Sequence, residues 1–150
     1  MRKNTAKKYD KARDILNYMA NKAIKIVDAN VILRYLLNDN EEQFKIVKSF
    51  FDNVKTGKMR AVILESIIFE TVYVLLKVYK IPKKEIVDTL KDLLSFKGIV
   101  NKDAGRLIDA LGYYNMHNDL SLLDCFICVK SKELKIDILS FDKNLNKKCN

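Results

Sequence analysis

The sequence predicts an α/β protein built around a parallel sheet covered by helices on both faces. Three observations lead there. Short β-branched runs alternate with longer stretches of helical apolar spacing, the arrangement that a parallel sheet needs for its crossovers. At 150 residues, 49% hydrophobic and 31% charged, the chain is long enough for one real core and too apolar for disorder. Two of the strand-like runs, one near each end, are followed within three residues by an aspartate.

The stretch Ile24–Leu37 organises the rest. Ile24, Ile26 and Val27 predict a short buried strand, and Val31, Leu33, Leu36 and Leu37 the apolar side of a helix. Asp28 lies at the junction, where the carboxyl ends of parallel strands open a ligand crevice. Two readings apply to it: a helix cap, shared with Asn30, or an acid aimed into that crevice. Asn38-Asp39-Asn40 is a turn and capping cluster. The next helix carries Phe44, Val47, Phe51 and Val54 on one side and ends near Gly57.

Arg60–Leu64 predicts a second strand, followed by a helix from Glu65 or Ser66 to about Tyr79. Ile81-Pro82 starts a new element, a helix from Lys83 to Lys97 that buries Ile86, Val87, Leu90, Leu93 and Leu94 and stops at Gly98. Ile99-Val100 is a candidate third strand. Leu107, Ala110, Leu111 and Tyr114 mark another helix, Ser121–Glu133 the last clear helix, and Ile136–Leu139 the last clear strand, with Asp142 close behind.

Of the net charge of +9, residues 1–25 carry +6, and residues 1–21 read as a basic extension ahead of a domain spanning 22–150. A polyanionic partner fits that charge, as does a general leaning toward lysine. Tyr9, Ala12, Leu16 and Met19 fall at helical spacing, so the extension is either a docked amphipathic helix or a leader before Met19. No apolar run reaches membrane-spanning length, and the N-terminus lacks a signal peptide's hydrophobic region. Cys125, Cys128 and Cys149 are an odd number without a paired framework, which points to a reducing cytoplasmic setting.

Four acids stand out. Glu70 interrupts an apolar helical segment with no Lys or Arg three or four residues away, so it meets a metal, a donor or solvent, or marks a narrow exposed stripe. Asp124 follows Ser121 at capping-box spacing and precedes apolar residues. Asp142 repeats the placing of Asp28 after an apolar strand, and a turn aspartate is its plainer reading. Together, clustered carboxylates require a cation to stay ionised. Oxygen-only ligands suit Mg²⁺ or Mn²⁺, and such an ion on phosphate supports phosphodiester hydrolysis.

Val27-Asp28-Ala29-Asn30-Val31-Ile32-Leu33-Arg34-Tyr35, the Glu70 segment ending Val72-Tyr73-Val74-Leu75, Leu123-Asp124-Cys125 and Leu139-Ser140-Phe141-Asp142-Lys143-Asn144-Leu145 resemble, in order and spacing, the motifs of the PIN domain. The resemblance runs from about Ile24 to Leu145, and the small size is similar to VapC-type toxins of toxin–antitoxin modules. It implies a three-layer α/β/α fold with a central sheet of four to five parallel strands, and a Mg²⁺- or Mn²⁺-dependent ribonuclease. It implies an acidic metal site of Asp28, Glu70, Asp124 and Asp142, supported by Asn30 and Ser140. RNA as substrate, a cognate antitoxin and a homodimer follow as implied partners. Ala29 departs from the usual threonine after the first aspartate, and the N-terminal extension is atypical.

Other chemistries fit less well. The single histidine, His117, lies in a turn-like setting and cannot support a histidine zinc site; Cys125 and Cys128 have no second pair, so buried small side chains outrank a metal site. The four glycines are scattered, which excludes a phosphate-cradling loop. A receiver-like phosphoacceptor domain would want adjacent acids after the first strand and an acceptor aspartate after the middle one, where Arg60–Leu64 leads to Glu65. A PIN-like module that binds RNA or a partner without cutting is disfavoured by the presence of all four acids.

Overall fold

Strand β1 (Ile24–Ile26) pairs in parallel with β2 (Arg60–Val62), Ile24 opposite Arg60 and Ile26 opposite Val62. The structure, a computed structural model, describes residues 23–149; the basic extension 1–21 lies outside the described residues. The ladder continues past β1, where Val27 N donates to Val62 O at 3.0 Å. On the other side of β2 a third extended lane runs parallel to it. Ala61 N donates to Gly98 O and Val100 N to Ala61 O, each at 2.9 Å. The Asn101 side chain closes the lane, accepting from Ile63 N at 2.9 Å and donating back to Ile63 O.

Helices fill the chain between these lanes. Helix α1 (Ala29–Leu37) buries Ala29, Ile32 and Leu33 and ends at Asn38, which takes a left-handed φ of 50°. Helix α2 (Glu41–Lys55) is capped by Asn40, whose Oδ1 accepts from Gln43 N at 2.9 Å, and carries Glu41 and Glu42 where the helix dipole favours acids. It buries Val47, Phe51 and Val54, spaced four and three residues apart; the Phe51 ring packs on Tyr35, centroids 4.5 Å apart. Helix α3 (Glu65–Lys77) buries Ile68, Thr71, Val72 and Leu75, and the Thr71 hydroxyl donates to Ile67 O at 2.7 Å.

Pro82, lacking an N–H the first turn would leave unpaired, precedes α4 (Lys83–Leu94), which buries all five predicted apolar residues. Helix α5 (Ala104–Met116) buries Leu107, Ala110, Leu111 and Tyr114 and packs between α4 and α6 (Leu122–Leu134). The main core joins these elements and extends along the chain as far as Phe126.

Helix α4 ends three residues before the expected Lys97, and Gly98 explains why. Its N–H donates to Val54 O at 2.8 Å while its carbonyl accepts from Ala61, so the chain must leave the helix to reach α2 and β2. A side chain at position 98 would collide with the carbonyl oxygens of Met59 and Val54.

Several expectations are corrected. Two strands and one isolated parallel bridge, at Ile99, form the sheet among the described residues. Ile136–Leu139 makes no ladder. Lys135 turns left-handed at the end of α6, and Ile136 N bonds back to Ser131 O, so the segment peels away from the sheet with Leu139 fully exposed. Ile24 and Ile26, expected to be buried, are 51% and 70% exposed, since no described element covers the face of β1 that carries them; Val27 alone of that run is buried. An unexpected helix, α7 (Lys143–Cys149), follows the unladdered segment. Cys128 and Cys149, read as unpaired, are joined in a disulfide, and Cys125 remains a buried free thiol.

Candidate active site

Asp28 leaves β1 in extended backbone and N-caps α1, its Oδ1 accepting from Val31 N at 3.0 Å. Both readings of this residue therefore share one position: the carboxylate caps the helix while staying exposed at the carboxyl end of the strand. With Asn30, Val31, Arg34 and Gln43 it lines a cavity of about 230 Å³. Arg34 is turned to other partners there, donating to both Asp39 oxygens at 2.6 Å and to Gln43 Oε1 at 2.8 Å. That pair raises the Arg34 pKa and holds Asp39 below the usual carboxylate range.

Glu70 occupies the exposed face of α3 opposite Ile68, Thr71, Val72 and Leu75, which is the narrow-stripe reading. Asp124 completes the capping box on α6. Its Oδ2 accepts from Ser121 N at 3.0 Å and Ser121 Oγ at 2.6 Å, and its own N–H donates to Ser121 Oγ at 3.1 Å. Asp142 caps α7, Oδ1 accepting from Asn144 N at 2.8 Å and Leu145 N at 3.1 Å. Ser140 fixes the turn before it, its Oγ accepting from Asp142 N at 3.0 Å.

Three of the four acids thus sit at helix N-termini, where backbone donors and the helix dipole stabilise a carboxylate. The four are not gathered: among the described residues no group of three or more Asp, Glu, His or Cys converges as a metal site. The donor set is chemically right for a hard divalent ion.

A pair of acids that the sequence reading passed over is brought together instead. Glu65, at the start of α3 just beyond β2, meets Asp103, just beyond the Ile99 lane. A hydrogen bond to Asp103, partial burial and the Asp103 charge raise the Glu65 pKa, against a weaker opposing effect of Lys130. Asp28, Glu65 and Asp103 all follow parallel lanes, hence all lie toward the carboxyl end of the sheet. The available signal was Glu65 standing directly after the second strand-like run.

A cavity of about 570 Å³ lies elsewhere, bounded by α3, the start of α4 and the α5–α6 turn, with Phe69, Tyr73, Lys83, Tyr114 and Ser121 in its wall. Burial lowers the Lys83 pKa; its ammonium lies 3.9 Å from the Tyr114 ring centroid and donates to His117 O at 2.9 Å. Cys125 is inert beside it, its thiol pushed up to about 11 by burial.

Two comparisons with known proteins return matches. The PIN domain family matches residues 25–150. The chain is 26% identical over 126 residues to a VapC ribonuclease of Aquifex aeolicus (strain VF5), covering 83% of this chain and 91% of the relative. No solved structure gives a significant match.

Proposed function

Because the chain belongs to the PIN-domain family, we propose that it is a metal-dependent endoribonuclease of the VapC type, the toxin of a toxin–antitoxin pair. The observation that carries this reading is the family match over residues 25–150, with all four motif acids present inside it. The likeness to a VapC ribonuclease over 91% of that protein supports the choice of RNA as substrate. A cognate antitoxin and a homodimer belong to the same reading. Among the described residues no helix is long and apolar enough to cross a membrane, which accords with the proposed cytoplasmic setting.

The site assigned by this reading is Asp28, Glu70, Asp124 and Asp142 as ligands of Mg²⁺ or Mn²⁺, with Asn30 and Ser140 in support. Donor chemistry supports the assignment, not convergence of the four. When bound, such an ion supplies charge stabilisation on phosphate and an acidified water. The chain's own contribution is to fix the Asp28, Asp124 and Asp142 carboxylates at helix N-termini through hydrogen bonds from backbone N–H groups. A sheet of four to five strands is part of the reading too: among the described residues β1 pairs with β2 alone, and Ile136–Leu139 is an apolar segment outside the ladder. The division into an extension at 1–21 and a domain at 22–150 is kept with it.

The test is cleavage of RNA by antitoxin-free protein in Mg²⁺ or Mn²⁺, with and without chelator. Asp28→Asn and Asp124→Asn are expected to reduce cleavage by roughly 100-fold or more, since changes to residues merely supporting metal ligands already cost 10- to 100-fold. Circular dichroism verifies that each variant folds. A folded Asp28→Asn protein cutting at near wild-type rate overturns the site, and wild-type protein that binds RNA without cutting it favours the non-catalytic binding module.

A further inference from the structure

The C-terminal arm is fastened separately from the rest of the molecule. Leu145 and Cys149 of α7 and Cys128 of α6 form a small cluster of their own, with Tyr113 and Ile138 packed against it. Beyond that cluster the arm is held by Tyr113 Oη donating to Lys148 O at 2.9 Å and a partly exposed Lys148–Asp119 pair at 3.6 Å. A helix of seven residues does not persist in water without tertiary support. Its lead-in is bare: Ile136, Leu139 and Phe141 are exposed.

One covalent restraint crosses this weak junction. The Cα atoms of Cys128 and Cys149 lie 5.0 Å apart, inside the range a disulfide requires, and the bond closes a loop across a separation of 21 residues. Asp142 lies within that loop and caps the helix the bond holds. Cys125 is three residues from Cys128 but packs in the main core and not in the cluster that holds Cys149, so it does not compete for Cys149.

We propose that Cys128 and Cys149 form a thiol–disulfide switch that fastens α7, and with it Asp142, to α6. What the switch regulates rests on the ribonuclease reading; the switch itself does not. The oxidant is a small-molecule disulfide of the glutathione type. One cysteine thiolate attacks it, giving a mixed disulfide and releasing one small thiol. The second thiolate displaces the other small thiol and forms the Cys128–Cys149 bond. Two electrons and both thiol protons pass to the two released thiols, and an excess of reduced thiol reverses the exchange. In the oxidised state Asp142 is held in place; in the reduced state α7 opens and Asp142 leaves with it.

The experiment equilibrates the full chain in reduced and oxidised glutathione at graded ratios, blocks free thiols, and maps linkages by peptide mass. Hydrogen exchange over residues 136–149 is measured in both end states. A Cys128–Cys149 linkage is expected under oxidising ratios, with amide exchange in α7 about 10-fold or more faster after reduction and α4 unchanged. Cys149→Ser should behave as reduced protein under both conditions. No linkage at any ratio, linkage through Cys125, or equal exchange in both states overturns the switch. RNA cleavage is read in parallel: a rate that differs between the states in the wild type but not in Cys149→Ser is expected. Equal cleavage in both states overturns the regulatory role. Absence of cleavage in either state counts against the ribonuclease reading alone, because linkage and exchange do not involve RNA.

Discussion

Helices α4 and α7 differ in what holds them. Helix α4 places Ile86, Val87, Leu90, Leu93 and Leu94 in the main core and packs against α3 and α5. Helix α7 buries Leu145 and Cys149 in a small cluster of its own, joined to the main core through the partly buried Tyr113. Burial of apolar area drives folding, so a helix sharing five buried positions with the core unfolds when the domain does. A helix with two such positions opens locally, at a cost set by its few contacts. The molecule is thus one cooperative body, from β1 to α6, carrying a C-terminal arm of lower local stability.

The sharpest way to break this comparison is the same truncation in both regions. Leu90→Ala removes a fully buried side chain and is expected to lower global stability by about 2–5 kcal/mol in denaturant unfolding. Leu145→Ala should leave the global midpoint nearly unchanged while accelerating hydrogen exchange in α7. A comparable global loss for both would show that the arm belongs to the cooperative body.

Gly98→Ala probes the body where the chain is most tightly threaded. The new methyl group meets the Met59 and Val54 carbonyl oxygens, and the misfit should cost about 1–3 kcal/mol, read as a lowered melting temperature. Exchange in α7 should not respond.

The smallest expected effect is electrostatic and lies at the carboxyl end of the sheet. The Glu65 pKa is raised from its ordinary 4.5, so the folded state holds a proton that the unfolded state gives up. Stability linked to this group is therefore fully present below pH 4.5 and is lost as pH rises through the folded-state value. Glu65→Gln should raise the melting temperature at neutral pH and have little benefit in acid. A variant whose melting temperature follows the wild type across the pH range would mean that Glu65 and Asp103 do not share a proton.

Legibility in the sequence follows the same division. Helices α1 to α6 were readable because their buried residues recur at three- and four-residue spacing, and Asn40, Pro82 and Ser121 mark starts by local hydrogen-bond chemistry. Helix α7 was missed because Lys143–Cys149 offers only Leu145 and a cysteine as apolar positions, too few for a period. Ile136–Leu139 has a strand's composition, but a strand exists only against a partner edge, and none is supplied here. The same holds for Ile24 and Ile26, apolar in composition yet exposed.

The sequence by itself determined the α/β order of elements, the apolar faces of six helices, and the identity and local setting of Asp28, Glu70, Asp124 and Asp142. These are properties of residues within a few positions of one another, set by backbone periodicity and capping. Only the tertiary structure decided which acids meet, as Glu65 and Asp103 do, that Cys128 reaches Cys149, and that β1 pairs with β2. Those outcomes join residues 21 to 38 positions apart, and no local preference fixes a distance across such a span; packing and hydrogen bonding of whole elements do.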